Sequence, residues 1–245
     1  MILLIGILAT FFTFLGGIFA VYLKDKLHLV IGFSGGAVIG VVFFDLLPES
    51  LNLGGKYFSV FTVTTIIAAG FLLYMIFDRL AMVSHQGEEH GHKHTHGGHS
   101  HARGRLGAGA LSFHSFLDGL AIGLAFQVSA SVGAIITIAV LVHDFSDGIN
   151  TVNLILKGGG SKIEALRWLS LDAVTPLLGI AFTLFFALPE KTLGILLALF
   201  CGFFLYIGAS ELVPESYHTH PARFTTFMTI LGVLVMYTAI RLIGA

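Results

Sequence analysis

Two short segments of the chain share a pattern of histidine and aspartate that could bind a cation. The hexapeptides HSFLDG and HDFSDG match at His, Phe, Asp and Gly, and they begin at His114 and His143. Because residues four apart lie on one face of a helix, His114 should point with Asp118, and His143 with Asp147. Asp144 lies three residues before Asp147 and can share that face.

Imidazole and carboxylate groups together suit borderline divalent ions such as Zn²⁺ and Fe²⁺, with Mn²⁺ as a further candidate. In a dry interior two imidazoles and several carboxylates would repel one another, and a divalent cation removes that repulsion. Two other interpretations stay open at this level: structural hydrogen bonds within each His–Asp pair, and a proton relay.

The composition identifies the setting of these residues as a membrane. Of the 245 residues, 56% are hydrophobic and only 11% are charged, whereas a soluble domain has about 25% charged residues. A net charge of −1 provides no broad basic face for nucleic acid. The single cysteine, Cys201, excludes an intrachain disulfide framework and cysteine-rich zinc modules.

Eight stretches reach the roughly 20 apolar residues that a transmembrane helix requires. The sequence therefore predicts an all-α integral membrane protein, a bundle of eight transmembrane helices that forms one domain over residues 1–245. The predicted spans are 2–23, 28–49, 57–78, 106–128, 132–155, 164–188, 192–214 and 223–243.

The two hexapeptides should lie near the middle of the membrane. With a rise of about 1.5 Å per residue, His114 lies about 12 Å into span 4 and His143 about 16 Å into span 5. Asp172 in span 6 has a similar depth and could join them. An ionisable group costs about 2.5–3.5 kcal/mol at the bilayer centre, so a cluster there indicates a function.

Basic residues predict the orientation. The loops after spans 1, 3, 5 and 7 hold ten Lys and Arg residues, and the opposite side holds three. By the positive-inside rule, these odd-numbered loops are cytosolic and both termini face outward. The expected location is a plasma or inner membrane.

A second pair of matching segments suggests a pathway. Asp45-Leu-Leu-Pro-Glu49-Ser ends span 2, and Glu211-Leu-Val-Pro-Glu215-Ser ends span 7. With the predicted orientation, the first pair of acids lies at the outer mouth and the second at the inner mouth. Matching segments in spans 2 and 7, and in spans 4 and 5, are typical of an inverted repeat with three, two and three spans around a midplane site. The alternative is that Pro-Glu-Ser merely ends helices.

A histidine-rich segment lies between spans 3 and 4. Residues 84–105 are predicted to be a flexible cytosolic loop whose neutral imidazoles could bind metal. A solvated linker with incidental affinity is the other interpretation. The seven histidines are His85, His90, His92, His94, His96, His99 and His101.

Taken together, these features resemble the ZIP (Zrt/Irt-like) family of metal transporters over essentially the whole chain. The resemblance implies a metal site, often binuclear, formed by spans 4 and 5, and metal movement into the cytosol. The ligand positions that it implies are His114, Ser115 (where Asn is usual), Asp118, His143, Asp144, Asp147 and Asp172. It also places Glu211 near the exit and Asp45 where a histidine is common in span 2.

The sequence departs from the family pattern at several of these positions. Leu117 and Ser146 replace prolines, Asp118 and Asp147 replace glutamates, and Ser210 replaces the span 7 histidine. These changes bear on ion stoichiometry, selectivity and rate more than on the fold.

The predicted function is a divalent metal transporter that moves Zn²⁺ into the cytosol by alternating access, with Fe²⁺, Mn²⁺ or Cd²⁺ as other substrates. Two other functions share part of this pattern. Cation diffusion facilitators also have His-x-x-x-Asp pairs but have six spans and a soluble domain. An intramembrane zinc hydrolase would need an open coordination position and a general base.

We expect no enzymatic activity and no organic cofactor. The expected partners are metal ions, the lipid bilayer and a second copy in a homodimer.

Overall fold

The computed structural model describes residues 2–22, 27–86, 98–217 and 222–243. All regular elements in this part of the chain are helices, and eight of them are long and apolar enough to cross a membrane. The predicted all-α bundle of eight spans is therefore confirmed. Six spans are single α-helices: Ile2–Tyr22 (span 1), Val60–Gln86 (span 3), Gly98–Val128 (span 4), Ala130–Lys157 (span 5), Lys162–Thr183 (span 6) and Ala222–Ile243 (span 8).

Spans 2 and 7 are each interrupted by a π-helical segment. Span 2 consists of Leu27–Val41, the π segment Val42–Leu46 and Leu47–Gly55. Span 7 consists of Glu190–Tyr206, the π segment Ile207–Leu212 and Val213–Tyr217.

The π segments lie just before the two prolines of the matching motifs. Pro48 and Pro214 cannot donate the hydrogen bond that an α-helix requires at their positions. Before each proline the backbone forms the i→i+5 hydrogen bonds of a π-helix, which insert one extra residue into the helix, and an α-helix follows. In both motifs the serine hydroxyl donates to a carbonyl three residues earlier, from Ser50 to Leu47 (3.0 Å) and from Ser216 to Val213 (2.6 Å). The helix of span 2 continues to Gly55, five residues beyond Ser50, so its motif does not end the helix, whereas the described helix of span 7 ends at Tyr217, directly after Ser216.

Four spans form the interior of the bundle and four surround them. In spans 2, 4, 5 and 7 between 56% and 72% of the residues in the apolar window are buried, against 11% to 39% in spans 1, 3, 6 and 8. The four inner spans are the ones that carry the matching motifs. The outer spans present apolar side chains such as Phe11, Phe61 and Phe227 to the surroundings.

Glycines at corresponding positions in the two halves of the chain allow neighbouring spans to approach each other closely. A Cβ on Gly148 of span 5 would overlap the carbonyl oxygen of Thr13 in span 1. Likewise, a Cβ on Gly119 of span 4 would overlap the carbonyl oxygen of Pro176 in span 6. Both glycines end a His-x-x-x-Asp-Gly hexapeptide.

Glycines of the outer spans that lie against spans 4 and 5 also correspond between the two halves of the chain. Gly16 of span 1 lies against the carbonyl of Phe145, and Gly179 of span 6 lies against the carbonyl of Phe116. Each phenylalanine follows its motif histidine by two residues. These corresponding contacts are compatible with the predicted inverted repeat, in which span 1 exchanges with span 6 and span 4 with span 5.

Several predicted boundaries differ from the structure, and span 2 continues to Gly55 instead of ending at residue 49. Helices cover residues 84–86 and 98–105 of the segment predicted as a flexible loop; no proline interrupts these stretches, and each further residue adds a backbone hydrogen bond to an existing helix. Span 6 ends at Thr183 instead of residue 188. There the side-chain amide of Gln127 donates to the carbonyls of Thr183 (3.2 Å) and Phe186 (2.9 Å), which stabilises an irregular connection.

Candidate metal centre

The structure brings the four residues of the two His-x-x-x-Asp pairs together. One ligand atom from each of His114, Asp118, His143 and Asp147 lies within 4.8 Å of the other three. The Asp118 Oδ2 atom is 3.1 Å from His114 Nε2 and 3.3 Å from His143 Nε2. The Asp147 Oδ2 atom is 3.6 Å from His114 Nε2 and 3.9 Å from His143 Nε2. All four residues are buried.

These separations are close to those of a tetrahedral zinc site. Zinc bonds to imidazole nitrogen and carboxylate oxygen are about 2.0–2.1 Å long, which places tetrahedral ligand atoms about 3.3 Å apart. A small contraction around an ion would therefore complete the geometry. With neutral imidazoles, two carboxylates carry a charge of −2, which one divalent cation balances.

Both imidazoles direct their Nε2 atoms toward the carboxylates because their Nδ1 atoms contact other oxygens. The Nδ1 atom of His143 is 3.0 Å from the carbonyl oxygen of Ala139, one turn earlier on the same helix. The Nδ1 atom of His114 is 2.6 Å from the hydroxyl of Tyr74 on span 3. Metal-binding histidines in proteins generally engage their second ring nitrogen in this way.

Asp144 and Asp172 lie outside this group of four. Asp144 is fully buried, and among the described residues neither of its carboxylate oxygens has a hydrogen-bond partner. Asp172 accepts hydrogen bonds from the hydroxyls of Ser115 (2.7 Å) and Thr151 (2.6 Å). Asp172 and Ser115, which were predicted as ligands, therefore contact each other, and with Thr151 they join spans 4, 5 and 6.

A cavity of about 420 Å³ leads away from the candidate metal centre. It reaches His114 and Asp147 at one end. Its other lining residues come from the last turns of spans 3, 5 and 7 and from the first half of span 4, among them Asp78, Asn153 and Glu215. The cavity therefore extends toward the odd-numbered loops, the side that the basic residues predict to be cytosolic.

The four predicted mouth residues divide between two places. Glu211 and Glu215 line the cavity together with His114 and Asp147. Asp45 is buried within the π segment of span 2, and Glu49 is partly buried one turn further along. Neither Asp45 nor Glu49 is among the residues that line this cavity.

On the side away from the odd-numbered loops, spans 2 and 7 are linked by polar contacts. Lys56, just after span 2, forms an ion pair with Glu190 at the start of span 7. Tyr57 donates a hydrogen bond to the same carboxylate (3.0 Å). The hydrogen bond and charge of Glu190 raise the pKa of Lys56 above its ordinary value.

Half of the histidine-rich segment, residues 87–97, lies outside the described residues. His90, His92, His94 and His96 fall between residues 87 and 97. The backbones of His85 and His99 belong to the helices of spans 3 and 4. The ring of His101 lies beside Gly159 in the connection between spans 5 and 6. Metal binding by these histidines stays a prediction.

Several residues around the site are not among those that the sequence predicts. Asn150 and Asn153 line the cavity at three and six residues after Asp147, and this helical spacing could have indicated them. Tyr74 and Thr151 act across helix interfaces, and no local pattern connects them to their partners.

The fold and this group of side chains define an integral membrane protein with a buried candidate cation site. The model of the ZIP zinc transporter family matches residues 106–239, which include spans 5 to 7 and most of spans 4 and 8. The chain belongs to the ZIP family.

Individual relatives are similar over larger or smaller parts of the chain. The zinc transporter zipt-7.1 of Caenorhabditis briggsae is 22% identical over 241 residues, which cover 77% of this chain and 62% of the relative. The zinc transporter ZIP13 of Pongo abelii is 27% identical over 201 residues, with 77% of this chain and 58% of the relative covered. The metal cation symporter ZIP14 of Xenopus tropicalis is 37% identical over 102 residues, which cover 42% of this chain and 22% of the relative. The chain thus spans about 60% of the length of the first two relatives. These relatives are named as transporters, which agrees with the prediction that the chain is not an enzyme.

Proposed function

We propose that the protein transports divalent metal cations across a membrane, with Zn²⁺ as the principal substrate, and that the His114, Asp118, His143 and Asp147 side chains bind the ion midway. The observation that carries this proposal is the convergence of their four ligand atoms within 4.8 Å in the interior of the bundle. Membership of the ZIP family and the names of its relatives support the same conclusion.

The chemistry of the ligands favours zinc over other divalent ions. Two imidazoles and two carboxylates form a donor set that zinc accepts in tetrahedral geometry. Fe²⁺, Mn²⁺ and Cd²⁺ are secondary candidates, since imidazole and carboxylate also suit borderline ions.

Import into the cytosol is the proposed direction. The cavity connects the candidate metal centre with the side of the odd-numbered loops, where the basic residues cluster. The structure then corresponds to the inward-open member of an alternating-access pair. In the outward-open member, an ion would reach the same ligands past Asp45 and Glu49.

We further propose that Asp144, fully buried and without a protein partner among the described residues, provides a carboxylate to a second ion beside the first. The remaining features of the proposal are an inner or plasma membrane as the location, termini on the outside and a homodimer formed through the spans.

Zinc uptake into proteoliposomes tests this function. The variants His114→Ala and Asp147→Ala should reduce uptake to that of protein-free liposomes, because each removes one of four ligands. Removal of external Zn²⁺ with a chelator should abolish uptake by the wild-type protein. The control Ser112→Ala removes another buried polar group from span 4, a hydroxyl that donates to the carbonyl of Ala108, and should retain uptake.

Folding of each variant is checked by gel filtration and circular dichroism in detergent. Wild-type rates of uptake in both folded ligand variants would disprove the assignment of the site.

A further inference from the structure

Tyr74 makes a direct polar contact with the candidate metal centre from outside it. Its hydroxyl oxygen is 2.6 Å from His114 Nδ1, and both side chains are buried, with 5% and 3% of their surfaces exposed. Tyr74 belongs to span 3, whereas His114 belongs to span 4. The bond thus joins two helices that are separated in sequence by the histidine-rich segment.

The two ring nitrogens of a histidine have different roles when one of them binds a metal ion. The nitrogen that faces the ion must offer a lone pair, and the proton of a neutral imidazole then resides on the other nitrogen. In His114 the nitrogen that faces Asp118 and Asp147 is Nε2, at 3.1 Å and 3.6 Å from their oxygens. Metal binding therefore requires a proton on Nδ1 and an acceptor beside it.

His143 shows the same arrangement with a partner that can only accept. Its Nδ1 atom lies 3.0 Å from the carbonyl oxygen of Ala139, so a neutral His143 in this hydrogen bond carries its proton on Nδ1. At His114 the atom beside Nδ1 is the hydroxyl oxygen of Tyr74 instead of a carbonyl oxygen. A hydroxyl can accept as well as donate, and it can therefore take the same role.

We propose that Tyr74 is a positioning residue for the transported ion: its hydroxyl oxygen accepts the Nδ1 proton of His114 and thereby holds Nε2 toward the ion. This inference rests on the proposed function. Nothing in the family match or in the sequence motifs points to Tyr74.

The surroundings of Tyr74 fix the hydroxyl in place. Its ring packs against Phe203 and Tyr206 of span 7, with ring centroids 5.6 Å and 5.5 Å away, and against Phe77 one turn along span 3. Its edge also meets the His114 ring at 5.7 Å between centroids. The aromatic cluster on spans 3 and 7 therefore sets the orientation of a ligand on span 4.

Zinc affinity of the purified full-length protein tests the proposal, measured by competition with a chelating dye. Tyr74→Phe keeps the ring and removes the hydroxyl, and it should weaken Zn²⁺ binding by roughly 10- to 100-fold, the usual effect of losing such a partner. The matched control is Tyr57→Phe between spans 2 and 3, whose hydroxyl bonds to Glu190 (3.0 Å) and contacts neither the aromatic cluster nor a ligand of the centre. Its affinity should stay within about threefold of wild type, well inside the effect expected for Tyr74→Phe.

Equal affinities of Tyr74→Phe and wild type, or equal losses in both phenylalanine variants, would overturn the role of Tyr74. His114→Ala separates this result from a failure of the proposed function. If His114→Ala also keeps wild-type affinity, the metal site itself is wrongly assigned. If His114→Ala loses zinc binding and Tyr74→Phe does not, only the positioning role fails.

A spectroscopic measurement on the wild-type protein gives a test that does not depend on the Tyr74→Phe variant. ¹⁵N NMR of histidine-labelled, Zn²⁺-loaded protein, with the His114 signal assigned by its loss in His114→Ala, should show a protonated Nδ1 and a metal-bound Nε2. A metal-bound or unprotonated Nδ1 at His114 would overturn the proposal.

Discussion

At the scale of single residues, the buried aspartates of spans 4, 5 and 6 differ in the groups that they contact. Asp118 and Asp147 face two imidazoles, Asp172 accepts two hydroxyl hydrogen bonds, and Asp144 has no hydrogen-bond partner among the described residues. A buried carboxylate that already has two donors gains less from an ion than one that has none. The side chain of Asp172 is therefore better suited to joining spans 4, 5 and 6 than to binding the transported ion.

We expect Thr151→Val to reduce the free energy of unfolding by about 1–2 kcal/mol, because it removes one donor from the buried Asp172 carboxylate. Zinc affinity should change little. The measurement is equilibrium unfolding in detergent together with zinc binding. Thr137→Val is the matched control, since its hydroxyl, also on span 5, donates to the carbonyl of Gly133 in its own helix. A large loss of zinc affinity in Thr151→Val with unchanged stability would contradict this expectation and indicate that Asp172 binds the ion.

The sequence could predict which side chains point together within each span because His-x-x-x-Asp spacing acts within one helix; that the four residues bind a metal ion stays a prediction. The cost of burying charged groups predicts that the motif-bearing faces of spans 4 and 5 turn toward each other, and in the structure they do. The hydroxyl partners of Asp172 and the Tyr74 contact could not be predicted, since each depends on the rotation of a neighbouring helix about its own axis.

At the scale of elements, close helix contacts determine where the ligands point. Gly148 and Gly119 follow their motif aspartates directly, and each lies against the backbone of an outer span. A side chain at either position would push that span away. Such contacts lock the rotation of spans 4 and 5, because only one face of each helix permits the approach.

Gly148→Ala should therefore destabilise the protein by about 1–3 kcal/mol or more, since its Cβ would overlap the carbonyl oxygen of Thr13. Gly55→Ala is the control, because a Cβ there would have no atom within 4 Å. Its stability should stay within about 1 kcal/mol of wild type. Thermal unfolding in detergent compares the two variants, and equal midpoints would contradict the tight contact between spans 1 and 5.

At the scale of the whole molecule, the cavity connects the candidate metal centre with the side of the odd-numbered loops. Its residues lie toward the odd-numbered loops, while the ends of spans 2 and 7 are linked on the other side by Lys56 and Glu190. One accessible side at a time is the defining property of alternating access.

Labelling of single cysteines in oriented vesicles tests both the cavity and the orientation. Asn153→Cys in the cavity should react with a membrane-impermeant thiol reagent added from the cytosolic side alone, and Ser59→Cys, between spans 2 and 3, from the outer side alone. The native Cys201 is buried, so its background labelling should be low. The reverse pattern would show that the positive-inside assignment is wrong, and labelling of Asn153→Cys from both sides would contradict a cavity open to one side.

The amino-acid sequence by itself determined the membrane setting, the number of spans, the two ligand pairs and the resemblance to the ZIP family. These properties depend on composition, on apolar length and on residues one helical turn apart, all of which act locally along the chain. The tertiary structure decided which acids lie together with the two histidines, which side the cavity opens to, and that Tyr74 contacts His114. Those properties depend on how helices distant in sequence rotate and pack, and backbone contacts at glycines and hydrogen bonds between spans set that packing.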